Sequence, residues 1–161
     1  MKKLTILVCV LAMLLALTGV ASASKPEPAT FSITGYTTFY EWETLPNGRT
    51  KFHLTALGAV SGYFTGTFTF EEWGEVDLDP STGEGSGKGK NHGIMTITTA
   101  EGEAIIRFNG KADSETVWGE FKVLHKEGTG AYQDLQGKGK YTGNAGLVFT
   151  VDFTGQFHTH P

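Results

Sequence analysis

The chain is expected to fold as an all-β protein, a single antiparallel eight-stranded barrel, and three observations lead there. Apolar and polar residues alternate with a period of two over residues 60–78 and again over residues 147–157. Outside an apolar run at the N-terminus, no stretch carries apolar residues at helical spacing for more than about a turn. The 22 glycines, with frequent threonine and phenylalanine and almost no proline after Pro80, favour strands joined by tight turns. A two-sheet β-sandwich fits the same pattern and stays open as the alternative.

Residues 1–23 are read separately, as a cleaved export signal. Lys2 and Lys3 give a positive start, "LTILVCVLAMLLAL" an apolar stretch, and "ASA" at 21–23 a small-x-small cleavage pattern. The apolar run is short for a spanning helix and lacks a positive stop-transfer flank. The expected location is therefore secreted or periplasmic, with no membrane span after cleavage after Ala23. The only cysteine, Cys9, lies within that segment, so the mature chain is held by packing without disulfides. Its length of 138 residues (24–161) suits one domain with one core. Without the two signal lysines, 11 Lys+Arg face 17 Asp+Glu, a net charge of about −6 that argues against nucleic acid as a partner.

Residues 24–30, "SKPEPAT", read as a mobile lead, and the barrel domain is expected over 31–161. Strands are expected at 31–44 and 49–57, joined by the turn "LPNGR" with its Asn47-Gly48 hairpin signal. The alternating run 60–78 follows, with Phe64, Phe68, Phe70 and Glu72 on one face and Tyr63, Thr65, Thr67, Thr69 and Trp73 on the other. Strands at 83–97, 103–112, 116–125, 135–143 and 147–157 complete a meander of eight.

Two of these strands contain the same frame, "GKGKNHG" at 87–93 and "GKGKYTG" at 137–143. A phosphate-binding loop needs a different spacing, a preceding buried strand and a following helix, and neither copy has them. As strands, both segments put glycines on one face and lysines on the other, and a glycine face lets rings from neighbouring strands press on backbone.

The second copy lies in "GTGAYQDLQGKGKYTGNAGLVFTVDFTG". Gly128, Thr129, Gly130, Tyr132, Leu135, Gly137, Gly139 and Tyr141 carry a G-T-G-x-[YF]-x-x-L-x-G-x-G-x-[YF] pattern followed by a last aromatic strand. This resembles bacterial families of unknown function with the allene oxide cyclase-type barrel, which plant dirigent proteins share. "GYFTGTFTFEEWGEVD" is similar to an earlier strand of those families, and the resemblance spans most of residues 31–158. It implies an eight-stranded barrel with a central interior, and leaves association through outer faces as an open option. No catalytic residue matches a family motif here, so none is carried over.

Glu72 is the most informative polar residue, since a carboxylate on the Phe64–Phe68–Phe70 face is costly unless partnered. Arg107, between Ile106 and Phe108, is the partner considered, and Glu72, Arg107, Phe68 and Phe70 form the expected ligand-binding set. A β-bulge between Phe70 and Glu72, turning Glu72 outward, is the competing reading. Trp42, Trp73, Trp118, Tyr36, Tyr40 and Tyr63 read as scattered strand aromatics, with a sugar-binding surface as the alternative. His158 and His160, even with His53, His92 or His125, do not make a metal site at a chain end, so no metal or cofactor is expected.

Three functions are consistent with these residues. The first is a non-catalytic module binding a small apolar or amphipathic ligand inside the barrel. The second is an isomerase or cyclase-type enzyme acting in that cavity, and the third is a structural, envelope-associated protein whose barrel is filled by side chains.

Overall fold

The computed structural model describes residues 25–79, 81–82 and 84–159. The expected export signal and His160 lie outside the described residues. Eight antiparallel strands close into a barrel in chain order: β1 (Glu27–Thr44), β2 (Thr50–Gly62), β3 (Gly66–Val76), β4 (Gly89–Thr99), β5 (Gly102–Ala112), β6 (Thr116–Val123), β7 (Leu135–Asn144) and β8 (Val148–Thr159). The sandwich alternative is thereby set aside, because β1 pairs with β8 over ten residue pairs and leaves no open edge. Among the described residues no helix is long and apolar enough to cross a membrane.

Three boundaries differ from the sequence reading. β1 begins at Glu27, so four residues assigned to the lead, Glu27 to Thr30, are instead paired with β8 from Phe157 to Thr154. The long run 60–78 is two strands: β2 ends at Gly62, whose φ of 106° is a backbone shape that suits glycine, and β3 starts at Gly66. Alternation survives the break because Phe64, in the turn, drops its ring into the barrel and is wholly buried. β4 starts at Gly89 rather than at residue 83, since Gly85 (φ 124°) and Gly87 (φ 65°) serve the β3–β4 connection.

The interior is filled unevenly. At the end where the β2–β3, β4–β5 and β6–β7 connections gather, the rings of Phe31, Phe64, Phe121, Phe153 and Phe157 pack into one cluster. Phe31 stacks on Phe153 at 4.5 Å and meets Phe64 edge-on at 5.1 Å. The signature stretch seals this end: after Thr129 a single 3₁₀ turn (Gly130–Tyr132) bonds to the β4–β5 hairpin, Thr129 N–H to Glu103 O at 2.9 Å and Ala131 N–H to Glu101 O at 2.9 Å. Tyr132 then lies 5.4 Å from the Phe64 ring.

The glycine-lysine segments have glycines within and lysines outside. In β7, Lys138 and Lys140 are exposed while Gly139 lies beneath the Phe121 ring, so that a Cβ there would stand 2.7 Å from Phe121 Cε1 and 2.5 Å from Gly155 Cα. Gly139→Val is expected to lower unfolding free energy by about 3 kcal/mol through overpacking. Lys138→Gln is expected to change it by less than about 0.5 kcal/mol. Urea unfolding of the two variants checks this, and a harmless Gly139→Val would refute the ring-on-glycine account.

Candidate functional site

The opposite end of the barrel is hollow. A cavity of about 440 Å³ opens among the β3–β4, β5–β6 and β7–β8 connections, walled by Phe52, Leu54, Phe70, Met95, Phe108 and Phe149. Its depth follows from the aromatic plug, which occupies only the far end. A β-bulge in β1 shapes one wall. The register with β2 slips between Thr37 and Phe39, which reverses the parity of the strand. Phe39 consequently turns out against His53, 5.6 Å away, and Tyr40 turns in towards Phe52 and lines the cavity.

Glu72 keeps its inward parity. β3 pairs with β2 and β4 without interruption, Phe70 opposite Met95 and Glu72 opposite Gly93, so no bulge turns the carboxylate away. The area it leaves accessible belongs to the cavity wall. Asn91 on β4 donates from Nδ2 to Glu72 Oε1 at 2.8 Å, and the Tyr141 hydroxyl on β7 donates to Asn91 Oδ1 at 3.3 Å. Tyr141 reaches β4 from β7 by lying across β5 and β6, where both inward positions are glycine. A Cβ at Gly119 would stand 2.8 Å from Tyr141 Cε1, and one at Gly110 would collide with its hydroxyl.

Burial pushes the Glu72 carboxyl up to about 7, opposed by the Asn91 hydrogen bond. Burial also raises the Tyr141 phenol, with the Glu72 charge adding to it, so Tyr141 stays a donor. Glu72 is therefore poised between acid and carboxylate near neutral pH, inside an apolar chamber.

The expected ligand-binding set is revised in two places. Arg107 is exposed on the outside of β5, because Ile106 and Phe108 on either side of it face in; opposite it on β4 and β6 stand Ile94 and Lys122. Glu72 is partnered by Asn91 instead. Phe68 is fully buried beneath Phe70, ring centroids 5.8 Å apart, and supports the cavity wall without forming it. Phe70 and Glu72 do line the cavity. Asn91 and Tyr141 were missed, although the signal was present: each stands between two glycines on the inward face of its strand, Asn91 between Gly89 and Gly93 and Tyr141 between Gly139 and Gly143.

A second constellation lies on the outer face. The Glu41 and Glu71 carboxylates stand as acceptors at the two ring nitrogens of His53, Glu41 at Nδ1 (2.9 Å) and Glu71 at Nε2 (2.8 Å), and the imidazole stacks on Trp73 at 5.2 Å. The Glu41 hydrogen bond is the largest of the effects that raise its pKa. That pair of contacts stabilises the fold fully below the ordinary value of 6.5 and is lost as pH rises through the higher folded value. Among the described residues no group of three or more His, Asp or Glu is arranged to hold a metal.

The fold and the site together define a closed antiparallel barrel, plugged at one end and hollow at the other, with the half-buried Glu72 carboxyl in the wall of the hollow. No protein-family model matches the chain, and no curated protein matches it.

Glu72 gives this site a measurable pH signature. Its folded pKa of about 7 lies above the ordinary 4.5, so the folded state holds the extra proton between those values. Stability should fall as pH rises from 4.5 towards 7, by on the order of 3 kcal/mol, and level off above. Glu72→Gln should lack that component, so the variant should gain on the wild type between pH 5 and pH 8 in paired denaturant titrations. Parallel curves for the two proteins would mean that Glu72 ionises in the fold at no cost.

Proposed function

We propose that the chain is an exported, non-catalytic β-barrel module that binds a small apolar or amphipathic molecule in the open end of its barrel. The observation that carries this reading is the chamber itself: about 440 Å³ walled by aromatic and aliphatic side chains, with one convergent polar group, Glu72–Asn91–Tyr141. Pockets that take small molecules have this composition and a volume of roughly 300–1,000 Å³. A purely structural barrel would gain by filling the space, since each unfilled volume forfeits packing energy. Export is supported by the N-terminal sequence pattern alone.

One observation favours a second reading, an isomerase or cyclase-type enzyme. A carboxyl held near pH 7 beside a cavity is suited to general acid–base work. The binding module is preferred because, among the described residues, the chamber offers one group titrating in that range.

Native mass spectrometry of protein purified from its source should reveal a co-purifying apolar molecule, released by solvent extraction. Val117→Trp, at the cavity wall, should weaken its retention by about ten-fold or more while leaving the thermal midpoint within a few degrees. A clean unliganded mass, together with no thermal shift from a lipid and phenolic panel, would overturn the binding reading.

A further inference from the structure

The polar group of the chamber has a direction. The Tyr141 hydroxyl donates to Asn91 Oδ1, and Asn91 Nδ2 donates to Glu72 Oε1, so both hydrogen bonds of the chain run towards Glu72. Glu72 lines the cavity, and its Oε2 takes no hydrogen bond from another described residue and is not among the atoms sealed from contact. The unmet requirement of the chamber is therefore a donor facing Oε2.

Charge narrows the choice. Among the described residues no lysine, arginine or histidine lines the cavity, and the charged ones that do are Glu72 and Asp113. Arg49, at the same end of the barrel, is committed elsewhere: its guanidinium pairs with the Glu75 carboxylate and donates to the backbone oxygens of Glu75 and Lys88. An anionic head group would meet acceptors and like charge. A neutral hydroxyl would make one hydrogen bond. A protonated nitrogen would make a charge-assisted bond and offset the cost of an ionised carboxylate in an apolar site.

We propose that the cavity takes a hydrophobic amine, an apolar chain or ring system whose protonated nitrogen lies on Glu72 Oε2. This rests on the ligand-binding reading above and specifies the head group that the site selects. Affinity depends on pH because the amine needs Glu72 ionised, and the bare carboxyl holds its proton up to about 7. The other titratable groups facing the chamber are Tyr141 on β7, Tyr40 on β1 and Asp113 in the β5–β6 connection. The faces of β2 and β4 against Glu72 offer only Phe52, Leu54, Asn91 and Met95. Both phenols are raised by burial and Asp113 is lowered by backbone hydrogen bonds, so Glu72 is the group that titrates between pH 5 and pH 8.

Calorimetric titration with decylamine, decanol and decanoate, three heads on one tail, tests this. At pH 8 decylamine is expected to bind about ten-fold or more tighter than decanol, with decanoate weakest. The amine's advantage over the alcohol should shrink about ten-fold at pH 5, and Glu72→Gln should abolish it. Should Glu72→Gln fail to fold, the pH comparison on the wild-type protein decides. Equal binding of all three, tightest binding of decanoate, or an amine advantage untouched by pH or by Glu72→Gln would overturn the head-group assignment and leave the cavity reading standing. If none of the three bound at either pH, the cavity reading would fall, and this inference with it.

Discussion

The structure depends on rings laid over glycine. An eight-stranded barrel is barely wide enough for its own side chains, so large aromatics fit only where the strand opposite has no Cβ. Phe121 lies against Gly139 and Gly155, and Tyr141 lies across Gly110 and Gly119. Rings so placed bury a large apolar area and stack on their neighbours, as Phe121 does on Phe157. The glycines give little area themselves and lose backbone entropy on folding, and the rings offset that cost.

Uneven use of this device produces the site. Five phenylalanines crowd one end, and the β6–β7 connection closes over them through the 3₁₀ turn at Gly130–Tyr132. At the other end the rings of Phe52, Phe70, Phe108 and Phe149 stand along the wall of the cavity and leave its middle open. Tyr141 belongs to both regions: its ring stacks towards Phe153 at 5.5 Å, and its hydroxyl ends at Asn91 in the chamber. The packing rule that fills the barrel thus also sets the polar contact that orients Asn91 and leaves Glu72 Oε2 without a hydrogen bond from another described residue.

Much of the fold was legible because strand parity is a strict local rule. β5, β6, β7 and β8 fall within a few residues of the stretches expected from alternation. Parity misled where the chain turned without breaking it: Gly62 ends β2, yet Phe64 in the turn still points inward, so residues 60–78 looked like one strand. In β1 the reverse occurred, and a bulge moved Tyr40 to the inside in a stretch whose sequence gives no sign of it. Arg107 was paired with Glu72 on charge complementarity, although Ile106 and Phe108 beside it already assigned it to the outside. Parity was the stronger physical constraint, since moving one residue in the strand would have exposed two buried apolar ones.

The sequence by itself determined the fold class, the number of strands, the inward face of most of them and the presence of a carboxyl on an apolar face. These are local properties, set by a two-residue period and by where glycine and turn residues stand. Only the tertiary structure decided that Glu72 meets Asn91 from β4 and, through it, Tyr141 from β7. It alone decided that the barrel is plugged at one end and hollow at the other. Those facts depend on closure, because the circumference of the barrel brings together residues 50 positions apart in the chain, and no local pattern encodes which rings will meet across it.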